Sequence, residues 1–202
     1  MLLDDAALER SSVVANNAMN RERPLKSYSR ELGLDLLAAA PARWLDLCCG
    51  SGRALLEAAP LLPRTEIVGV DLVDHFLRAV HPPNLTLLTA SVADWTPDAP
   101  FDLITCVHGL HYVGDKLGLL ARVASWLSDD GRFVADLDVR SVRAPGRVST
   151  RLREQGFEYD PRRRRISLTG RRDVRFPYRY LGADDKAGPN YTGQPAVDSF
   201  YE

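Results

Sequence analysis

The segment Asp46-Leu47-Cys48-Cys49-Gly50-Ser51-Gly52 follows a short apolar run that starts at Arg43 and precedes a helix-forming stretch from Arg53 to Ala59. Strand, glycine turn and helix in that order make a ligand site at the end of a parallel strand. Glycine, lacking a Cβ, lets the chain turn sharply and lets a ligand approach the backbone. The first turn of the helix offers unpaired N–H groups. Asp71 closes a second apolar run, Thr65 to Val70, and lies 21 residues beyond Gly50. A carboxylate there can accept hydrogen bonds from ribose hydroxyls. A dinucleotide loop uses similar parts, but it carries a third glycine at the position that Leu55 fills here. Asp46 stands before the glycines, where it would repel a pyrophosphate and suit a cation. The pattern argues for a nucleoside ligand with positive charge and no phosphate, and against NAD.

Other residues with chemical capacity lie further along. His108-Gly109-Leu110-His111-Tyr112 follows a fourth apolar run, Phe101 to Val107. Either imidazole has a pKa near neutrality and so could act as a general base toward a phenol or hydroxyl. Cys48 and Cys49 are adjacent and Cys106 is distant, a count and spacing that show neither a disulfide framework nor a metal site. No metal is expected.

The elements that position these residues read as alternating strands and helices. Residues 1–40 are helical in pattern. Strands are expected at 43–49, 65–70, 84–90, 101–107 and 132–137, and helices at 53–59, 73–80 and 115–127, with Asp129-Asp130-Gly131 as a turn. Five strands in this alternation imply an α/β fold with a mostly parallel sheet. Beyond Arg147 the pattern changes to one helix, to Gln155, and three strand-like runs, 157–159, 164–168 and 174–181. The last residues, from Gly182, are rich in Gly, Pro and Asp and are expected to be irregular.

The chain has 202 residues and a formal net charge of -1, which suits one soluble domain and does not suggest a nucleic-acid partner. No signal-peptide pattern and no membrane-length apolar stretch are visible, so a reduced, cytoplasmic setting is expected. Thirteen arginines fall between Arg140 and Arg179 against four acidic residues. Strand alternation would split them between two faces, and charges on an exposed edge strand also discourage edge-to-edge pairing.

Residues 40–140 resemble the class I S-adenosylmethionine (SAM)-dependent methyltransferases, particularly small bacterial ones acting on small molecules. Four stretches carry the resemblance, in the family's order. Trp44-Leu-Asp-Leu-Cys-Cys-Gly-Ser-Gly52 is similar to the glycine loop, with Cys48 where glycine is common. Ile67-Val-Gly-Val-Asp71 is similar to the ribose-binding strand end. Ser91-Val-Ala-Asp94-Trp95 is similar to the segment flanking adenine, and Phe101-Asp-Leu-Ile-Thr-Cys-Val107 to the fourth strand, whose end faces the methyl group.

The resemblance implies SAM as cofactor, bound by Asp46, Cys48, Gly50, Gly52, Asp71, Leu72, Ala93, Asp94, Trp95 and Val107. It also implies that Asn20 to Tyr28 covers the cofactor, with Arg23 on the SAM carboxylate and Tyr28 as a wall. His108 and His111 are the candidate catalytic residues. The implied fold is a Rossmann-like seven-stranded sheet with helices on both faces: five parallel strands plus a C-terminal pair, the last strand antiparallel. The implied organisation is an N-terminal helical cap (1–40), a SAM-binding domain (41–181) and an irregular tail (182–202). The expected activity is methyl transfer to oxygen, nitrogen or carbon of a small molecule. The alternatives are an RNA or protein acceptor met by the arginine-rich hairpin, or SAM binding without methylation.

Overall fold

A computed structural model describes residues 1–15 and 22–202. The chain opens with α1 (Asp5–Glu9) and α2 (Ser12–Ala15), then α3 (Leu25–Leu32) and α4 (Leu36–Ala39). Asp4 caps α1 by accepting from the Ala7 N–H, and Asp35 caps α4 from Leu37 and Ala38. Then follow β1 (Arg43–Leu47), α5 (Arg53–Ala58), β2 (Glu66–Asp71), β3 (Leu85–Thr89), β4 (Phe101–Cys106), α6 (Lys116–Trp126) and β5 (Leu127–Asp136). The C-terminal part holds β6 (Val142–Arg143), α7 (Val148–Glu154), β7 (Glu158–Asp160), β8 (Arg165–Thr169), β9 (Tyr180–Asp184) and β10 (Asp198–Tyr201).

The main sheet has the order β3-β2-β1-β4-β5-β8-β7. Its first five strands run parallel, and β8 pairs antiparallel with both β5 and β7. The α/β architecture and the antiparallel C-terminal strand match the sequence expectation. Side chains alternate across the sheet with period two. Leu45, Leu47, Val68, Ile104 and Phe133 pack toward α6 and α7, while Trp44, Ile67, Leu103 and Val134 pack toward α3 and α5. Helices therefore cover both faces.

Leu55 is fully buried on α5, and burial of such a side chain contributes roughly 1.5–3 kcal/mol. It can lie that close to the sheet because the residue opposite is Gly69, where a Cβ would stand 2.5 Å from Leu55 Cδ1. The glycine that lets helix and strand approach is thus on β2, not on α5.

Four local expectations are corrected. Residues 73–80 form no helix: Asp71 accepts from the Val73 N–H, and the Leu77 N–H donates to Ser51 O, which ties the segment to the glycine loop. Asp129-Asp130-Gly131 is not a turn between elements but lies inside β5, at a register shift against β4. The run 174–181 joins the main sheet nowhere, and its end contributes only to β9. The tail is not wholly irregular, since β10 pairs with β6 and β9 in a second, three-stranded sheet. Buried Lys116 holds it there, donating to Val113 O (3.0 Å), Val197 O (2.8 Å) and Ser199 Oγ (2.9 Å). Among the described residues, no helix is long and apolar enough to cross a membrane.

Candidate functional site

The glycine loop leaves β1 with Cys48, Gly50 and Gly52 all at positive φ (56°, 61° and 73°). Cys48 adopts a conformation that favours glycine. A Cβ on Gly109 would lie 2.4 Å from Cys48 Cβ, so the turn after β4 presses directly on it. The loop is fixed across the sheet by Asp71, whose Oδ2 accepts from the Gly50 N–H at 2.8 Å and whose Oδ1 accepts from Val73 N at 3.1 Å.

A cavity opens at the C-terminal ends of the parallel strands. Its walls include Cys48 and Gly50 from the loop, Asp71 and Leu72 from the end of β2, Val92 and Ala93, and Val107 to Gly109. Six of the expected cofactor residues therefore share one cavity: Cys48, Gly50, Asp71, Leu72, Ala93 and Val107. His108 joins them on its wall.

Several expected residues stand elsewhere. Asp46 is fully buried beneath the loop, accepting from Tyr28 OH at 2.9 Å and Thr105 Oγ1 at 2.5 Å. Burial pushes its carboxyl up to about 7, despite those two hydrogen bonds. Its position on the α3 face of β1, and not on the cavity wall, follows from strand alternation. Tyr28, also buried, is its partner and so is not a wall either. Gly52 caps α5, where a Cβ would meet Leu87 Cδ1 at 2.8 Å. Asp94 is exposed, and Trp95 packs edge-on against Trp126 with ring centroids 5.8 Å apart, a core contact. Arg23 faces Glu31 at 3.5 Å. Asn20 and Arg21 lie outside the described residues.

Sequence reading missed other residues of this cavity. Asp5, Leu8 and Glu9 of α1 line it, with Val14 of α2. The α1 segment is strapped down by the Leu3–Ala183 bridge, by Tyr180 OH donating to Asp5 Oδ1 at 2.9 Å, and by Glu9 with Ser91. Arg122 of α6 donates to Val92 O and Ala93 O, both at 2.6 Å, and so shapes the segment that precedes Trp95. Only the helical period of α6 hinted at a position for Arg122, and nothing in the sequence tied it to residues 92–93.

The two histidines differ. His108 has a left-handed backbone, φ 58°, and its Nε2 lies 3.2 Å from Glu31 Oε2 of α3 and 4.0 Å from Asp136 Oδ2 at the end of β5. The His108 main-chain N–H donates to that same Asp136 oxygen at 3.3 Å. His111 is buried behind it, with Nε2 3.5 Å from His108 Nδ1 and its ring against Tyr191. Burial, then the neighbouring His108, Lys116 and arginines, push the His111 imidazole down to about 3, so it is neutral at pH 7. His108 is lowered too, chiefly by burial and by Arg23, against the opposing pull of Glu31.

The arginine-rich hairpin forms no single patch. Arg163, Arg175 and Arg179 pair with Asp160, Asp173 and Glu202. Arg165 donates to Leu32 O, Arg171 donates to Leu127 O, and Arg164 stacks over Tyr191 at 4.0 Å.

A family model described as a methyltransferase domain matches residues 19–175. The chain is 28% identical over 149 residues to a trans-aconitate 2-methyltransferase of Rhodopseudomonas palustris (strain BisB5), covering 73% of this chain and 55% of that protein. It is 30% identical over 116 residues to the demethylmenaquinone methyltransferase of Deinococcus radiodurans, covering 54% and 48%. The chain thus spans about half the length of the curated relatives it matches. Among solved structures, the plantazolicin methyltransferase in complex with SAH is similar in fold, with a TM-score of 0.51 at 20% identity, over 63% of this chain and 53% of that one.

Proposed function

The chain belongs to the methyltransferase domain family, of the class I, SAM-dependent type, and from that premise we propose that it transfers the SAM methyl group to a small-molecule acceptor held beside His108. The observation that carries this reading is one cavity whose walls include Asp71 and Ala93 together with His108 and Gly109. Asp71 would accept from the ribose hydroxyls while still bracing Gly50, since each carboxylate oxygen can accept more than one hydrogen bond. Ala93 would border the adenine, and the turn at Val107–Gly109 would face the sulfonium.

Methyl transfer is an in-line displacement at carbon. The acceptor lone pair forms the new bond, and the carbon–sulfur bond breaks with its electron pair left on sulfur. Alignment of the two reactants can supply up to ~7–11 kcal/mol of the barrier. The polar side chains that meet His108 (Glu31, Asp136 and Tyr191) mark where we place the acceptor. The names of the relatives, trans-aconitate and demethylmenaquinone methyltransferases, support a small acceptor.

Calorimetric titration with SAM and SAH tests the donor half of the proposal. The wild type should bind both, and Asp71→Ala should weaken binding by about 10–100-fold, because a hydrogen bond to a charged group is worth ~1.5–3 kcal/mol. Incubation with methyl-labelled SAM and panels of organic acids, phenols and quinols tests the acceptor half. No binding of SAM or SAH by folded wild type would sink the reading, and an unchanged dissociation constant in folded Asp71→Ala would remove Asp71 from the ribose site.

A further inference from the structure

We propose that Glu31, His108 and Asp136 form a binding site for a divalent metal ion behind the cavity wall at His108, and that the ion takes an oxygen of the acceptor as a further ligand. The second clause rests on the acceptor lying beside His108; the first does not.

The three residues come from α3, from the turn after β4 and from the end of β5, and their ligand-type atoms lie within 4.8 Å of one another. Nitrogen and oxygen donors sit about 2.0–2.2 Å from a small divalent ion. Two donors at that radius are therefore about 3 Å apart when adjacent in an octahedron and about 4 Å apart when opposite. The observed separations from His108 Nε2, 3.2 Å to Glu31 Oε2 and 4.0 Å to Asp136 Oδ2, fall in that interval.

Each donor is also held from behind, as metal ligands commonly are. His108 Nδ1 faces His111 Nε2 at 3.5 Å, which leaves Nε2 turned toward the carboxylates. The His108 N–H holds Asp136 at 3.3 Å, and Arg23 faces the other oxygen of Glu31, Oε1, at 3.5 Å. The left-handed φ of His108 is what aims the ring into the cluster.

Charge favours the same occupant. Two carboxylates face one imidazole, with the Asp136 side chain only 4% exposed. Arg23 faces Glu31 Oε1 at 3.5 Å, and its charge and that of Arg165 also reach Asp136. A dication would share the negative charge of the two carboxylates with Arg23 and Arg165. Two oxygens and one nitrogen suit Mn²⁺, Fe²⁺, Co²⁺ or Zn²⁺ and not a thiophilic ion. The acceptor class is then one with an oxygen that can bind a metal: a carboxylate, a hydroxy acid or a phenol. A bound hydroxyl would lose its proton to water, and its oxygen would attack the methyl carbon as SAM becomes SAH. His108 then serves as a ligand and not as a base.

The test is a metal titration of chelator-treated full-length protein with neither SAM nor acceptor present. Mn²⁺ is followed by electron paramagnetic resonance and Co²⁺ by its visible absorption. One ion per chain should bind. Glu31→Gln, His108→Gln and Asp136→Asn should each weaken it by at least ~10-fold, the lower end of the loss seen for groups that merely orient metal ligands. Circular dichroism establishes folding, and partly exposed Glu31 provides a variant that tolerates replacement if a buried one does not. Asp71→Ala should bind Mn²⁺ like the wild type while binding SAM about 10–100-fold more weakly, so failure of the donor site and failure of the metal site read out separately. Absence of stoichiometric Mn²⁺, Co²⁺ or Zn²⁺ at millimolar concentration, or equal affinity in folded Glu31→Gln, would overturn the proposal.

Discussion

His108 and His111 are three residues apart, and their surroundings give them different work. His108 lines the cavity and meets Glu31 and Asp136, whereas His111 is 1% exposed and closes against Tyr191 and His108. A group beside the reacting atoms, whether it moves a proton or fixes what does, is worth about 10²–10⁴ in rate. His108→Gln should therefore lower single-turnover methyl transfer by about that factor with SAM affinity near wild type. His111→Gln should cost less than ~10-fold, chiefly through packing around His108. Equal losses at the two positions would mean that His111 reaches the acceptor. The sequence showed both imidazoles after a strand end but not which one faces inward, because that choice rests on the left-handed turn at His108. Cys48 illustrates the same limit. Its place in the loop motif was legible, while its positive φ was not.

Among the elements, α1 has the most to say about ligand exchange. It is a five-residue helix that contributes Asp5, Leu8 and Glu9 to the cavity, and it is held by the Leu3–Ala183 bridge, the Tyr180–Asp5 hydrogen bond, the Glu9–Ser91 contact and the burial of Leu8 against Ala183 and Val197. Such short, lightly attached segments open at low cost. Deleting residues 1–10 should leave the sheet folded and raise the SAM dissociation constant by about tenfold or more, since net hydrogen bonds of ~1 kcal/mol each and the covering apolar wall are lost. Stopped-flow measurement should show the change mostly as faster release. An unchanged off-rate would mean that α1 is not a cover. The helical character of α1 to α4 was readable from their pattern. Their partner was not, because the strap is made with residues near position 180, and no local periodicity reports a contact across the whole chain. The same holds for β10, whose Gly- and Pro-rich surroundings suppressed a strand signal that pairing in the folded chain supplies.

At the scale of the whole molecule, buried titratable groups make stability depend on pH. Burial lowers Lys116 from its ordinary 10.5 to about 7, and raises Asp46 from its ordinary 3.8 to about 7. Between pH 7 and 10.5 the unfolded chain holds more protons at Lys116, so that residue makes stability rise with pH. Between pH 3.8 and 7 the folded chain holds more protons at Asp46, so that residue makes stability fall with pH. Urea midpoints should follow both slopes. Lys116→Met should flatten the alkaline rise, and Asp46→Asn should flatten the fall on the acid side. Parallel curves for variants and wild type would show that neither group is desolvated in solution.

What the sequence determined by itself is the part of the protein built from local signals: apolar runs of strand length, the glycine loop after β1, Asp71 at the end of β2, and hence the α/β sheet and the part of the cavity wall made by Cys48, Gly50 and Asp71. Those features lie within a few residues of each other or follow from the period of one element. Only the tertiary structure decided the rest. It turned Asp46 under the loop toward Tyr28 and Thr105, because β1 alternates and that face belongs to α3. It also brought Glu31 and Asp136, 77 and 28 residues from His108 along the chain, to one point. No spacing rule reaches that far, since the meeting depends on where α3 lies over the sheet and on which way β5 points its last carboxylate.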